Sequence, residues 1–99
     1  MRRDETKIVK QILKHLNRID GARAVKVHGG PYSIAGEPDV DCVINGQSFK
    51  IEVKYPGEEP TKLQLKRLQM WREAGAVAEW VTSLDEVKKI IKPFIKEDK

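Results

Sequence analysis

The chain contains one cysteine and no long apolar run. Because Cys42 is the only cysteine, no internal disulfide can form. No stretch is long and apolar enough to span a membrane, and no signal-peptide pattern is present. These absences argue against a secreted, disulfide-bonded protein and against a membrane partner. We therefore expect an intracellular location, cytoplasmic in a bacterial, archaeal or virus-infected cell.

Elements that read DNA sequence are missing as well. His28 has no second ligand at metal spacing, so it predicts no zinc site, and no helix is rich in the Arg, Asn and Gln that contact base edges. The net charge is +4, from 19 Lys and Arg against 15 Asp and Glu. This charge favours a polyanion partner, although any basic domain would also fit it. With no repeat and no linker, residues 1–99 are predicted to form one domain.

The most informative segment runs from Gly36 to Lys54 and reads G-E-P-D-V-D-C-V-I-N-G-Q-S-F-K-I-E-V-K. Two alternating runs flank Asn45-Gly46, a dipeptide that favours the type I′ turn of a β-hairpin because both turn positions need positive φ. This turn sets a register in which Asp39 lies opposite Glu52. The register also predicts an apolar face made of Val40, Cys42, Ile44, Phe49, Ile51 and Val53.

The same register determines which charged residues of the hairpin face each other. Asp41 faces Lys50, which is a favourable pair, whereas Asp39 facing Glu52 costs roughly 0.2–1 kcal/mol on a solvated face. Two opposed carboxylates are tolerated when they share a proton or a cation. Lys54, on the same face, suits a phosphate oxygen or an attacking water. An Asp, a Glu and a Lys around a hard cation are the groups needed for metal-assisted hydrolysis of a phosphodiester.

These residues resemble the PD-(D/E)xK nuclease superfamily, with Pro38-Asp39, a short gap, and then Glu52-Val53-Lys54. The ordered set G-x-P-D, I-E-V-K, Gln64 in the next helix, and then Gly75-Ala76 before a strand is similar to the VRR-NUC (virus-type replication-repair nuclease) family. The resemblance extends from about residue 5 to residue 91. It implies an α/β, restriction-endonuclease-like αβββαβα core, in which helices flank a central mixed sheet.

The resemblance also implies a role for each residue of the motif. It implies a Mg²⁺ or Mn²⁺ cofactor held by Asp39, Glu52 and the backbone carbonyl of Val53. Lys54 then orients the attacking water or offsets charge on the phosphate. Glu5, in the first helix, is implied to reach the metal site and to hold a second cation or a metal-bound water.

Two residues have competing structural explanations. Glu5 extends the apolar stripe of the first helix, yet it is also a first-turn acid that the helix dipole favours. Gln64 heads a stripe with Leu68 and Trp71, yet Thr61-x-x-Gln64 is also a capping box. The resemblance favours a catalytic role for both, with Gln64 positioning water or phosphate.

A loop rich in glycine and proline, residues 29–36, precedes the acidic hairpin. Tyr32, Ser33 and His28 are candidates to contact phosphate or sugar, because loops beside a site commonly bind the substrate. Each of the three also fits an ordinary surface residue.

Hydrophobic periodicity and capping signals predict the other elements. The first helix is predicted over residues 4–20 with Asp4 as its cap, strands are predicted at 22–28 and 76–81, and the second helix at 61–74. A second capping box, Ser83 with Glu86, predicts a last helix that Pro93 interrupts or ends. Residues 96–99 are predicted to fray.

The resemblance implies a metal-dependent, structure-selective DNA endonuclease acting on branched DNA in DNA repair. A four-way (Holliday) junction is the expected substrate and a homodimer the expected assembly, since a symmetric junction needs two cuts. Two alternatives are a non-catalytic DNA-binding or assembly module and a restriction-like, sequence-specific endonuclease. The intact set of Asp39, Glu52 and Lys54 argues against the first, and the lack of a recognition element argues against the second.

Overall fold

The computed structural model describes residues 3–96, without the side chains of the first two. The predicted cap at Asp4 and residues 97–99 of the predicted tail therefore lie outside the description. The described elements follow the predicted order: α1 (Arg3–Leu16), β1 (Ala22–Lys26), β2 (Val40–Ile44), β3 (Gln47–Val53), α2 (Lys62–Glu73), β4 (Val77–Val81) and α3 (Leu84–Ile91), followed by a 3₁₀ turn (Lys92–Phe94).

The strands form one mixed sheet in the order β1-β2-β3-β4. The pairs β1–β2 and β2–β3 are antiparallel, while β3 and β4 are parallel and are connected through α2. The predicted fold class, a central mixed sheet flanked by helices, is confirmed. Within residues 3–96, no helix combines the length and the apolar character needed to cross a membrane.

The β2–β3 hairpin has the predicted register. Val40 pairs with Ile51, and Asp41 pairs with Lys50. The turn residue Asn45 has a φ of 49° and is followed by a glycine with a φ of 89°, the left-handed values that a type I′ turn requires. The turn chemistry therefore fixes which hairpin side chains face the core and which face the other side of the sheet.

The main hydrophobic core lies between one face of the sheet and the helices α1 and α3. Phe49 and Ile51 are fully buried there, and the ring of Phe49 packs edge-on against Phe94 with 5.1 Å between centroids. Helix α2 packs against β3 and β4, where Leu68 and Ala78 are buried. On the β1–β2 half of the sheet, valine side chains stay exposed at positions 25 and 43.

Helix α1 is shorter than predicted because the side chain of Asn17 binds the backbone of β1. Its Oδ1 accepts a hydrogen bond from the Ala24 amide at 2.8 Å, and its Nδ2 donates to the Ala24 carbonyl at 2.9 Å. The helix therefore ends at Leu16. The flanking strands are also shorter than predicted, since β1 ends at Lys26 and β4 begins at Val77.

The second capping box forms only in part. The hydroxyl of Ser83 accepts a hydrogen bond from the Glu86 amide at 3.3 Å, as predicted. The carboxylate of Glu86 accepts from the amide of Thr82 instead of that of Ser83, so the reciprocal bond lies one residue earlier in the chain. Pro93 lies in the 3₁₀ turn that ends α3, as its missing amide predicts.

Candidate active site

The acidic pair of the hairpin lies at one end of β2 and β3. Asp39 directly precedes β2, and Glu52 is the second-to-last residue of β3. The Oδ2 atom of Asp39 accepts a hydrogen bond from the Val53 amide at 2.9 Å, which holds this carboxylate at the end of β3. Val40 pairs with Ile51, so Asp39 and Glu52 occupy the next pair of positions in the antiparallel register. The structure thus brings together the two carboxylates that the register places opposite each other.

Glu52 is a buried acid that is only partly compensated. Its side chain is 3% exposed, and its Oε1 atom has no hydrogen-bond partner among the described residues. Its Oε2 atom lies 3.7 Å from Nζ of Lys54. Burial, followed by the charges of Asp39 and Glu5, raises the pKa of Glu52 to about 8, although Lys54 opposes this shift. A buried carboxylate with one unpartnered oxygen favours a proton or a cation at that position.

Glu5 joins this cluster from the first turns of α1. Burial raises the pKa of Glu5, and a hydrogen bond with the side chain of Glu58 raises it further, while Lys54 opposes the shift. Glu58 lies in the turn between β3 and α2, where its amide bonds to the carbonyl of Tyr55 at 2.9 Å. Sequence reasoning missed Glu58, because it belongs to no motif and lies in a segment rich in glycine, proline and glutamate.

The cluster has the chemistry of a hard-cation site. Among the residues that the structure describes, no three His, Cys, Asp or Glu side chains converge closely enough to form a metal cage unaided. Mg²⁺ does not need one, because it binds through one or two carboxylates and keeps several waters. Asp39 and Glu52 supply two carboxylates, and the unpartnered Oε1 of Glu52 is an oxygen that a cation would satisfy. These residues therefore fit a divalent cation.

Gln64 occupies the predicted capping box. Its Oε1 atom accepts a hydrogen bond from the Thr61 amide at 2.9 Å, and the Thr61 hydroxyl accepts one from the Gln64 amide at 3.1 Å. The side-chain Nε2 group forms no hydrogen bond with any described residue. The capping role uses the oxygen and leaves the nitrogen available, so the two roles considered for Gln64 are compatible.

The three loop candidates differ in their position relative to Asp39. His28 and Ser33 line a cavity of about 250 Å³ that also reaches Asp39. Ser33 forms hydrogen bonds with the backbone of Gly30, donating to its carbonyl at 2.8 Å and accepting from its amide at 3.1 Å. Tyr32 is 97% exposed and does not line this cavity. The geometry therefore brings two of the three candidates into the same cavity as Asp39.

Comparison with known proteins gives structural neighbours only. No family model matches the chain, and no curated protein matches it. A solved "VRR_NUC domain" is 25% identical, with 90% of this chain and 95% of that chain covered at a TM-score of 0.74. A "VRR_NUC domain protein" is 20% identical over 96% of this chain and 90% of its own, with a TM-score of 0.70.

A third neighbour is Hjc of Archaeoglobus fulgidus, a Holliday junction resolvase from an archaeal hyperthermophile. It is 24% identical over 79% of this chain and 67% of its own, with a TM-score of 0.62. Identities of 24% and 20% establish a shared fold. The similarity to the 25% identical VRR_NUC domain supports a nuclease of the PD-(D/E)xK superfamily and confirms the predicted resemblance of this chain to the VRR-NUC family.

Proposed function

We propose that the protein is a Mg²⁺- or Mn²⁺-dependent endonuclease that hydrolyses phosphodiester bonds in branched DNA. The observation that carries the proposal is the buried Glu52 carboxylate, whose Oε1 atom has no partner among the described residues while Asp39 and Lys54 lie beside it. In a purely structural site, the unpartnered oxygen and the raised pKa of Glu52 would cost stability and serve no function. A bound cation would satisfy the unpartnered oxygen and would be attracted by the neighbouring Asp39 carboxylate as well.

Each residue of the cluster has a distinct role in this proposal. Asp39, Glu52 and the Val53 carbonyl would hold the cation, which supplies an activated water and offsets charge on the phosphate. Glu5 would hold a second cation or a bound water. Lys54 orients the nucleophile and stabilises the charge that develops on the phosphate, since its ammonium is mostly buried and already directed at Glu52.

The substrate side of the site is proposed from the loop and from α2. His28 and Ser33 line the cavity that reaches Asp39, so they lie where a phosphate or sugar would approach the acidic pair. Tyr32, at 97% exposure, is available to contact a substrate farther from the cavity. The free Nε2 donor of Gln64 is suited to a water or a phosphate oxygen.

The proposed substrate is branched DNA, and the proposed assembly is a homodimer. The neighbour from Archaeoglobus fulgidus is a Holliday junction resolvase. A symmetric junction needs two cuts, and each chain provides one site, so two copies would supply both. The exposed valines at positions 25 and 43 of the uncovered sheet half support a second copy as partner, because apolar patches often mark interfaces. A DNA substrate also suits the predicted cytoplasmic location.

The test is a cleavage panel of four-way junction, flap, fork, duplex and single strand, each with and without Mn²⁺. We expect nicking that requires Mn²⁺ and favours the junction, and we expect Glu52→Gln to abolish it. Glu79→Gln, at a partly exposed glutamate of β4, is the matched control. Binding without nicking would support a non-catalytic module, and cutting at one base sequence would support a restriction-like enzyme.

A further inference from the structure

Trp71 of α2 contacts Glu37, which precedes Asp39 in the chain, and Lys50 of β3, which pairs with Asp41. Its indole Nε1 donates a hydrogen bond to Oε1 of Glu37 at 2.8 Å, two residues before Asp39. Its ring lies under the ammonium of Lys50, with 4.0 Å from Nζ to the ring centroid. The same ammonium donates to Oδ1 of Asp41 at 2.9 Å, two residues after Asp39. Trp71 thus binds the Glu37 carboxylate directly and is linked to the Asp41 carboxylate through Lys50.

The face of α2 that carries Trp71 follows the segment leading to Asp39. Arg67, one turn earlier, donates from Nε to the Ala35 carbonyl at 3.1 Å, and the same atom lies 3.8 Å from Oε2 of Glu37. Leu63, a further turn earlier, packs so closely on Gly36 that an added Cβ there would lie 2.8 Å from the Leu63 Cγ atom. Residues 63, 67 and 71 share one helix face, because they are four residues apart.

Asp39 itself is held by hydrogen bonds from the ends of the strands β1 and β3. Its carbonyl accepts a hydrogen bond from the Val27 amide at 2.7 Å, and its carboxylate accepts one from the Val53 amide. The sheet therefore fixes the backbone of Asp39, while α2 binds the Glu37 carboxylate directly and the Asp41 carboxylate through Lys50. A metal ligand needs such support, since outer contacts that orient ligands typically contribute about 10- to 100-fold in metal affinity or activity.

We propose that Trp71 and Glu37 are positioning residues that hold the Asp39 carboxylate in its metal-binding orientation. The inference rests on the proposed function for its metal, but its structural part does not need a metal. Glu37 and Trp71 do not act on the substrate. They act through the segment from Ala35 to Asp39, by keeping its end attached to α2.

The Val53 amide is a direct reporter of this geometry, because its hydrogen bond goes to the Asp39 carboxylate rather than to a neighbouring strand. The next amide, Lys54, bonds to the Val81 carbonyl at 2.9 Å and serves as an internal control. Hydrogen–deuterium exchange of these two amides in the metal-free protein separates a displaced Asp39 from a loosened sheet. Mn²⁺ affinity, from the electron paramagnetic resonance signal of free Mn²⁺, is the second readout.

Three variants and a control decide the question. Trp71→Phe removes the indole donor and keeps a ring under Lys50, Glu37→Ala removes the acceptor, and Glu37→Gln keeps an acceptor oxygen. In the first two variants we expect the Val53 amide to exchange about tenfold faster, while the exchange rate of the Lys54 amide stays unchanged. We also expect both variants to bind Mn²⁺ about tenfold more weakly. Glu37→Gln should stay within about twofold of the parent protein because its hydrogen bond survives. Glu79→Ala, which removes another glutamate paired with α2, should change neither readout.

Unchanged Val53 exchange in both Trp71→Phe and Glu37→Ala would overturn the inference. If Glu37→Ala does not fold by circular dichroism, Trp71→Phe together with Glu37→Gln still decides it. A parent protein that binds no Mn²⁺ would refute the proposed function, and the Val53 exchange result would still show whether α2 positions Asp39.

Discussion

Nζ of Lys54 lies 3.7 Å from Oε2 of Glu52, and both side chains are largely buried, at 15% and 3% exposure. This separation is longer than a good hydrogen bond, so the contact is a loose ion pair. The other carboxylate oxygen of Glu52 has no partner among the described residues. This ion pair therefore neutralises the charge of Glu52 only in part. Glu52 can still attract a cation, and Lys54 can still attract a phosphate.

The first prediction concerns Lys54. Lys54→Met keeps most of the side-chain length and removes the charge, so it should lower the single-turnover cleavage rate about 10²- to 10³-fold at saturating Mn²⁺, as the loss of a transition-state donor does. Lys62→Met, at an exposed lysine of α2, is the control and should cleave like the parent protein. A Lys54→Met rate within a factor of about three of the parent would contradict the role given to Lys54.

The second prediction concerns the pH dependence of stability. The pKa of Glu52 is raised from 4.5 to about 8 in the folded protein. Between these values the folded state holds a proton that the unfolded state has lost, so the free energy of unfolding of the metal-free protein should decrease as the pH rises from 4.5 to about 8. Urea unfolding in EDTA across this range measures the trend. Glu52→Gln, which cannot ionise, should flatten it, and an equal slope in that variant would contradict the assignment.

The third prediction concerns metal binding. A cation must displace the proton from Glu52, so Mn²⁺ should bind roughly tenfold more weakly at pH 7 than above pH 8. Binding to the folded state alone should also restore stability, by about 2.7 kcal/mol at a free Mn²⁺ concentration of 100 times Kd. Calorimetric titration and thermal unfolding at both pH values measure the two effects. Equal Kd values at pH 7 and 8.5 would show that Glu52 is not a ligand.

The hairpin is the part of the site that the sequence predicted best. Asn45-Gly46 fixes the turn, the turn fixes the register, and the register brings Asp39 to Glu52. These are local effects, in which each residue acts on near neighbours in the chain. The order of the elements followed from periodicity and capping signals, whereas the central mixed sheet was implied by the resemblance to the nuclease superfamily.

The sequence did not reveal contacts between distant segments. Glu58 lies more than 50 residues from Glu5, and only the folded chain shows that their side chains share a hydrogen bond. The contact of Trp71 with Glu37 spans 34 residues. In the sequence, Trp71 appeared as a member of an apolar stripe, because periodicity shows which face of a helix is buried but not which polar atom its indole meets.

The fourth prediction separates the two roles of Gln64. Gln64→Ala removes the hydrogen bond to the Thr61 amide and should lower stability by about 1 kcal/mol. Gln64→Glu keeps the acceptor oxygen and loses the Nε2 donor, so it should fold with near-parent stability and cleave DNA more slowly. Thermal unfolding and the junction cleavage rate measure the two properties. If Gln64→Glu cleaves at the parent rate, Gln64 serves only as a helix cap.

The fifth prediction concerns the proposed homodimer. If the uncovered half of the sheet meets a second copy, the protein should have twice the chain mass by light scattering under cleavage conditions. Val43→Glu places a charge in this patch and should produce a monomer that still binds Mn²⁺, because the acidic cluster lies within one chain. Leu65→Glu is the matched control, since Leu65 on α2 has the same 44% exposure as Val43.

The dimer also determines how a junction is cut. A dimer presents two sites and can nick two strands symmetrically within one encounter, whereas a monomer must bind twice. Val43→Glu should therefore release singly nicked junctions from a supercoiled cruciform plasmid, and the parent protein should release linear product. A parent protein that sediments as one chain while producing linear plasmid would contradict the dimer, because paired cutting would then arise without paired sites.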